Sequence, residues 1–323
     1  MRDLDYTFAV ARIRALENAL ISNADIERLM ACPDEEKCKQ VLLEKGWGDG
    51  NADIGITELL ELERHKSWET LKDVAPDMAV FDVFFIHRLY HNLKAAIQLI
   101  CTDLEHQKVF YENSQISGED LVEILKNHEY HKLPYNMPKV AEEAYNIMLK
   151  TRDGQLCDII VDRGAMETVI ALGNSCGVEI IRRYAEFIVA VANIKIALRG
   201  QKTNRTLDFM LRSMAPCSVL DINRLAQAAM TSREAIVEYL RGTAAGEGAK
   251  LINESAAAFE RWCDNRLIEI IKDEKNKAFS AGPLAAYFLA RQIEIQTVRM
   301  ILTGKQNKFT DQAIQERLRV MYV

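Results

Sequence analysis

The sequence lacks most of the features by which functional classes announce themselves. No apolar run approaches the roughly 20 residues that a bilayer-spanning helix needs, so the chain is not expected to cross a membrane by itself. Six prolines and 15 glycines are few for 323 residues, and the long stretches between them favour helix. The seven cysteines are odd in number and include no CxxC pair, which argues against a disulfide framework or structural zinc and for buried thiols in a reducing compartment. Arg2, Asp3 and Asp5 run straight into an amphipathic pattern and do not read as a secretory leader. A formal net charge of -6 makes a nucleic acid or an anionic lipid surface a poor main partner, while leaving a membrane protein open. What remains, 49% hydrophobic and 27% charged residues, is the composition of an ordinary folded protein.

The dominant positive feature is a recurring helical motif. Ala190-Val191-Ala192-Asn193-Ile194-Lys195-Ile196-Ala197-Leu198 has a close counterpart in Ala9-Val10-Ala11-Arg12-Ile13-Arg14-Ala15-Leu16. Asn92-Leu93-Lys94 repeats its centre, and Thr297-Val298-Arg299 is a diverged copy. Each copy has a polar or basic residue, an aliphatic one, then Lys or Arg. A recurrence of about a hundred positions is too long for a solenoid and suits duplicated subdomains. The motif residues Arg12, Arg14, Asn92, Lys94, Asn193, Lys195, Thr297 and Arg299 are therefore the candidate site residues, in the first instance structural ones. Phe187, Val191, Ile194 and Leu198 form an apolar stripe beside Asn193, so its amide should be half buried or more and bonded to backbone at a helix crossing. A functional alternative is a ring of cations about a common axis.

Helix patterning fills the intervals. Tyr6, Ala9, Ile13, Leu16 and Leu20 share one stripe. A second helix opens at Asp25 and breaks at Cys32-Pro33, and Gly46-Trp47-Gly48-Asp49-Gly50 is a loop. Ser117 and Asp120 have capping-box spacing, and Leu220–Leu225 and Phe309–Ile314 carry hydrophobic-staple spacing. Long charged helices are expected around 58–71, 139–150 and 256–275. The reading is an all-α chain of three similar helical subdomains in approximate three-fold pseudosymmetry: residues 1–115 with a leading helix, 116–215, and 216–323 with a trailing one.

Candidate chemistry is thin. His87 and His91 have the spacing of helical metal ligands, but Lys94 and Gln98 continue their row and no local acid accompanies them, so a solvated or cavity-facing polar row is the better reading. His128 and His131 read as surface residues. Leu302-Thr303-Gly304-Lys305-Gln306 lacks the glycine and hydroxyl of a phosphate-binding loop, and no dinucleotide, serine-hydrolase or zinc-protease motif occurs. Residues 221–240 could pass for a helix-turn-helix, but Glu234 and Glu238 accompany a single Arg233 where a recognition helix needs Arg, Lys, Asn or Gln. No catalytic residue, metal or cofactor is expected, and neither nucleic acid nor a small-molecule substrate is expected as partner.

Tyr6-x-Phe8-Ala9-x-Ala11-Arg12-Ile13-Arg14-Ala15-Leu16-Glu17, Tyr90-His91-Asn92-Leu93-Lys94 and Glu294-x-x-Thr297-Val298-Arg299-x-Ile301-x-x-Gly304-Lys305 together resemble the C (AC39/d-type) subunit of V/A-type rotary ATPases, in its bacterial and archaeal form. Thr297 departs from the family pattern, which more often has Asn, so the last crossing should be tied differently. The resemblance implies a funnel of three helical subdomains on the cytoplasmic face of the membrane, peripheral to it. It further implies a non-catalytic rotor part that links the central-stalk subunits D and F to the membrane proteolipid ring, coupling ATP hydrolysis or synthesis to H+ or Na+ transport. On that view the ring contact is largely apolar and the stalk pocket largely polar, with the His87-His91-Lys94-Gln98 row as a candidate lining. The competing class is a soluble all-helical scaffold or regulatory interaction protein.

Overall fold

The computed structural model describes residues 6–102, 110–111 and 114–323. Among these residues the chain is helical and contains no strand, the all-α class expected from its patterning. The helices of the first part are α1 (Thr7–Glu17), α2 (Asn23–Met30), α3 (Glu35–Glu44), α4 (Ile56–Val74), α5 (Ile86–Cys101), α6 (Gly118–Lys126), α7 (Met137–Thr151) and α8 (Gly154–Ser175). Those of the second part are α9 (Glu179–Lys202), α10 (Leu207–Ser213), α11 (Ile222–Thr231), α12 (Arg233–Arg241), α13 (Gly246–Ile252), α14 (Ala256–Lys272), α15 (Gly282–Gln306) and α16 (Asp311–Gln315). No helix among the described residues is long and apolar enough to cross a membrane. All seven cysteines are free thiols, and Cys32, Cys38, Cys157 and Cys263 are buried.

The chain divides into two compact units, each assembled from separate stretches of sequence. Unit 1 takes the chain up to Met78, Val178–Ile181 and Gly248–Val323; unit 2 takes Ala79–Gly177 and Arg182–Glu247. The core helix of unit 1 is α15. Pro283 in its first turn costs no hydrogen bond there, and apolar residues from Leu284 to Leu302 bury nearly its whole circumference. Ile295, Val298 and Ile301 join Ile21, Leu29, Leu42 and Leu59 in one cluster. The turn before α4 is held close to this core by Gly48, whose φ of 71° suits glycine and whose missing Cβ would lie 2.8 Å from a Leu59 methyl.

Helix α2 begins earlier than its sequence pattern suggests. Ser22 is the N-cap, and Asp25, read as the opening residue, is the third helical position, returning a bond to the Ser22 backbone in a complete capping box. Ser117, Asp221 and Thr310 cap α6, α11 and α16 through their side-chain oxygens as expected.

Unit 2 packs α5, α7 and α8 around Leu93, Ala96, Ile97, Ala141, Ala144 and Val161. The 22-residue α8 is a long helix that the sequence pattern does not single out, because its apolar residues are spread around the axis rather than gathered in a stripe. Helices α11 and α12 meet with no intervening loop: Ser232 ends the first and caps the second through a bond from the Ala235 N–H. Glu234 and Glu238 of α12 are exposed, consistent with a packing corner and not a DNA-reading helix.

Candidate functional site

Two copies of the motif lie in unit 2 and tie their helices in the same way. Asn92 on α5 is fully buried; its Nδ2 donates to the Tyr111 carbonyl at 3.0 Å, and its Oδ1 accepts from the Tyr111 N–H at 2.8 Å. Asn193 on α9 is likewise fully buried; its Nδ2 donates to the Ala215 carbonyl at 2.8 Å and its Oδ1 accepts from the Ala215 N–H at 3.1 Å. Each amide thus satisfies both polar groups of one backbone residue, as an adjoining strand would. Only Asn or Gln carries a donor and an acceptor in the plane that this requires.

These clamps frame a cavity of about 640 Å³, within the size range of functional clefts. Helix α5 contributes His87, Tyr90, His91 and Lys94; α8 contributes Asp158 and Asp162; α9 contributes Lys195 and Arg199; Arg205, Phe209 and Ser213 close the far side. Tyr111, fixed by the Asn92 clamp, sets its ring 4.7 Å from that of His91 at the same cavity. Lys94 Nζ lies 2.6 Å from Asp162 and 3.9 Å from Asp158, and Gln98 Nε2 donates to Asp158 at 3.2 Å. Burial raises the Asp158 carboxyl above its ordinary range, and the Lys94 charge opposes that rise. At the cavity wall the Tyr90 hydroxyl is bonded to Thr168 at 2.7 Å and to Asn136, and burial pushes its pKa up to about 12.

Of the polar row, His87, His91 and Lys94 line the cavity and Gln98 bonds to the lining residue Asp158; the acidic partners come from α8, 60 or more positions away in sequence. No group of three His, Cys, Asp or Glu is placed to hold a metal among the described residues. His128 and His131 are exposed, with His128 Nδ1 3.0 Å from the Tyr130 hydroxyl.

The other motif residues belong to unit 1 and do not form clamps. Arg12 is exposed. Arg14 pairs with Glu17 at 2.8 Å and donates to the Glu274 carbonyl at 2.9 Å. Thr297, fully buried, donates to the Ile293 carbonyl of its own helix at 2.8 Å, and Arg299 lies 3.3 Å from Glu61. Unit 1 is tied instead by a buried ion network that sequence reasoning missed. Arg291 on α15 pairs with Glu63 on α4 at 2.6 Å and with Glu294, and stacks over the Trp47 ring at 5.1 Å. Glu63 also accepts from the Gly48 N–H at 3.0 Å and pairs with Lys66 at 2.7 Å. Burial raises the Glu294 carboxyl to about 7 against the opposing pull of Arg291. The missed residues in unit 2 are Asp158, Asp162, Arg199 and Arg205. The four-residue spacing of the two aspartates on a helix was their one sequence signal.

The chain is thus an all-helical protein in which the clamped motif helices α5 and α9 both line one cavity of mixed polar and apolar character. Comparison with known proteins specifies which kind. A family model described as ATP synthase (C/AC39) subunit matches residues 9–317, and the chain belongs to that family. The C subunit of the V-type sodium ATPase of Enterococcus hirae is 23% identical over 318 residues, covering 96% of this chain and 97% of that protein.

Proposed function

We propose that this chain is the C subunit of a V-type rotary ATPase, acting as a non-catalytic socket between the central shaft (subunits D and F) and the membrane proteolipid ring. In that role it sits on the cytoplasmic face of the membrane as a peripheral protein and couples ATP hydrolysis or synthesis to H+ or Na+ transport. The observation that carries this reading is the family match across nearly the whole chain, from residue 9 to 317. The relative of similar length in E. hirae supports it, since its name assigns it to a sodium-transporting V-type ATPase.

The physical character of the molecule suits the role. A part that transmits torque must not slip, which favours stiff helices and many modest polar contacts over one strong contact. Lys94 and Lys195, the basic residues of two motif copies, line one cavity in unit 2, and we assign that cavity to the shaft. The three repeats at 1–115, 116–215 and 216–323 are the proposed basis of a funnel about a single axis.

Co-purification tests the proposal. The chain, tagged in its native cell and recovered from detergent-solubilised membranes, should bring down a proteolipid ring together with shaft subunits. Recovery of the chain alone from the soluble fraction would return it to the class of helical scaffolds.

A further inference from the structure

The cavity of unit 2 has two walls of different charge balance. On one side Lys94 faces both Asp162 and Asp158, so that wall has more acid than base. On the other, Arg199 is exposed on α9 one turn beyond Lys195 on the same face, and Arg205 follows the corner into α10. Neither Arg199 nor Arg205 has a carboxylate partner among the described residues, in a chain whose overall charge is -6.

The backbone shapes this second wall. Asn204 takes a left-handed φ of 52°, and the Arg205 N–H donates back to the Gly200 carbonyl at 2.9 Å, which turns the chain sharply at the end of α9. Gly200 allows the turn to close, because a Cβ there would stand 2.5 Å from the Met210 sulfur. The result sets the Arg205 guanidinium over the Phe209 ring at 4.7 Å, where stacking orders it without neutralising it. A pre-ordered guanidinium, a second one on the neighbouring helix and the aromatic rings of Tyr111 and Phe209 make a receptor for carboxylates carried on a peptide.

We infer that the Arg199–Arg205 wall of this cavity docks an acidic segment of the central shaft, a loop or helix end presenting two or more Asp or Glu side chains. The inference rests on the socket reading and names the chemistry by which the shaft is held. The acidic wall has a complementary part: its aspartates repel a segment that enters in the wrong orientation, so charge fixes register as well as attraction.

The test uses the full chain, the purified D–F shaft complex and the detergent-solubilised proteolipid ring. Shaft affinity is measured by titration calorimetry at low and high salt for the wild type, for Arg199→Glu/Arg205→Glu and for Arg199→Gln/Arg205→Gln. The charge reversal should weaken shaft binding roughly tenfold or more at low salt, the neutral pair less, and both should flatten the salt dependence. Ring binding and the circular dichroism spectrum should stay as in the wild type. Poly-L-glutamate should compete with the shaft, whereas inorganic phosphate at equal charge should not. Unchanged shaft affinity and salt dependence in both variants would overturn the acidic-segment assignment while leaving the socket reading standing. Displacement of the shaft by phosphate as effectively as by poly-L-glutamate would overturn it in favour of a free-anion site. A wild-type chain that binds neither shaft nor ring would overturn both.

Discussion

The motif helices α5 and α9 of unit 2 and the motif helix α15 of unit 1 carry related sequences, yet they are secured by different physics. In unit 2 a neutral amide grips one backbone residue from both sides. In unit 1 threonine replaces that amide and bonds only within its own helix, and long-range polar tethering passes to the Arg291–Glu63–Glu294 network. An amide clamp satisfies a turn without burying charge. A buried ion network is geometrically demanding, offsets a large desolvation cost, and is costly to break from one side. The same local pattern therefore marks where a helix is held without dictating how.

Spectroscopy can address the two regions separately, because Trp47, Trp68 and Trp262 all fall in unit 1. The largest effect is expected from Arg291→Met, which leaves Glu63 and Glu294 buried without their shared partner. It should lower the stability of unit 1 by about 3–5 kcal/mol, read from the tryptophan fluorescence transition in urea. Next comes Asn193→Ala, which strands the N–H and carbonyl of fully buried Ala215 and should cost about 2–4 kcal/mol by far-UV circular dichroism. Asn92→Ala should cost less, about 1 kcal/mol, since Tyr111 is 49% exposed and water can replace the lost partners. Equal losses at the two asparagines would break the argument that burial of the clamped residue sets the cost.

The pH dependence sharpens the comparison further. Glu294 has a folded-state pKa of about 7 against an ordinary value of 4.5, so between those values the folded chain holds a proton that the unfolded chain has lost. Its contribution to stability is fully present below the ordinary carboxylate range and declines as pH rises toward 7. The urea midpoint of the tryptophan transition should accordingly fall as pH is raised from about 5 to about 8, and Glu294→Gln should flatten that slope. The smallest effect is expected from Lys94→Met: its partner Asp162 is 62% exposed, and the loss should be about 0.5 kcal/mol or less. Stability is thus predicted to be indifferent to the residue that best marks the cavity.

The sequence was informative about much of the local structure. Ser117, Asp221 and Thr310 cap the helices that their spacing announces, and the apolar stripe beside Asn193 correctly implied a buried amide bonded to backbone, though its partner Ala215 lies in the extended segment after α10 and not at a helix crossing. It was uninformative where partners are distant. Nothing near Lys94 advertises Asp162, because the pair forms only when α8 packs on α5. Nothing near Glu63 advertises Arg291, which lies 228 positions away. Asp25 was misplaced by one turn for a smaller reason: in a capping box the acidic residue is the reply to the cap, and the serine before it is the cap itself.

The way the two units are cut from the chain has a consequence for the order in which they can be made. Unit 2 ends at Glu247, so its whole sequence has been synthesised before α14 and α15 are translated. Unit 1 is cut in two by unit 2: α2, α3 and α4 are made before it, and α15, the helix that completes their core, is made after it. Until it arrives, Leu29, Leu42 and Leu59 lack their covering surface and Glu63 lacks its arginine. The early segment is therefore without its covering helix through the synthesis of some two hundred residues, the interval in which its apolar surface is most open to non-native association.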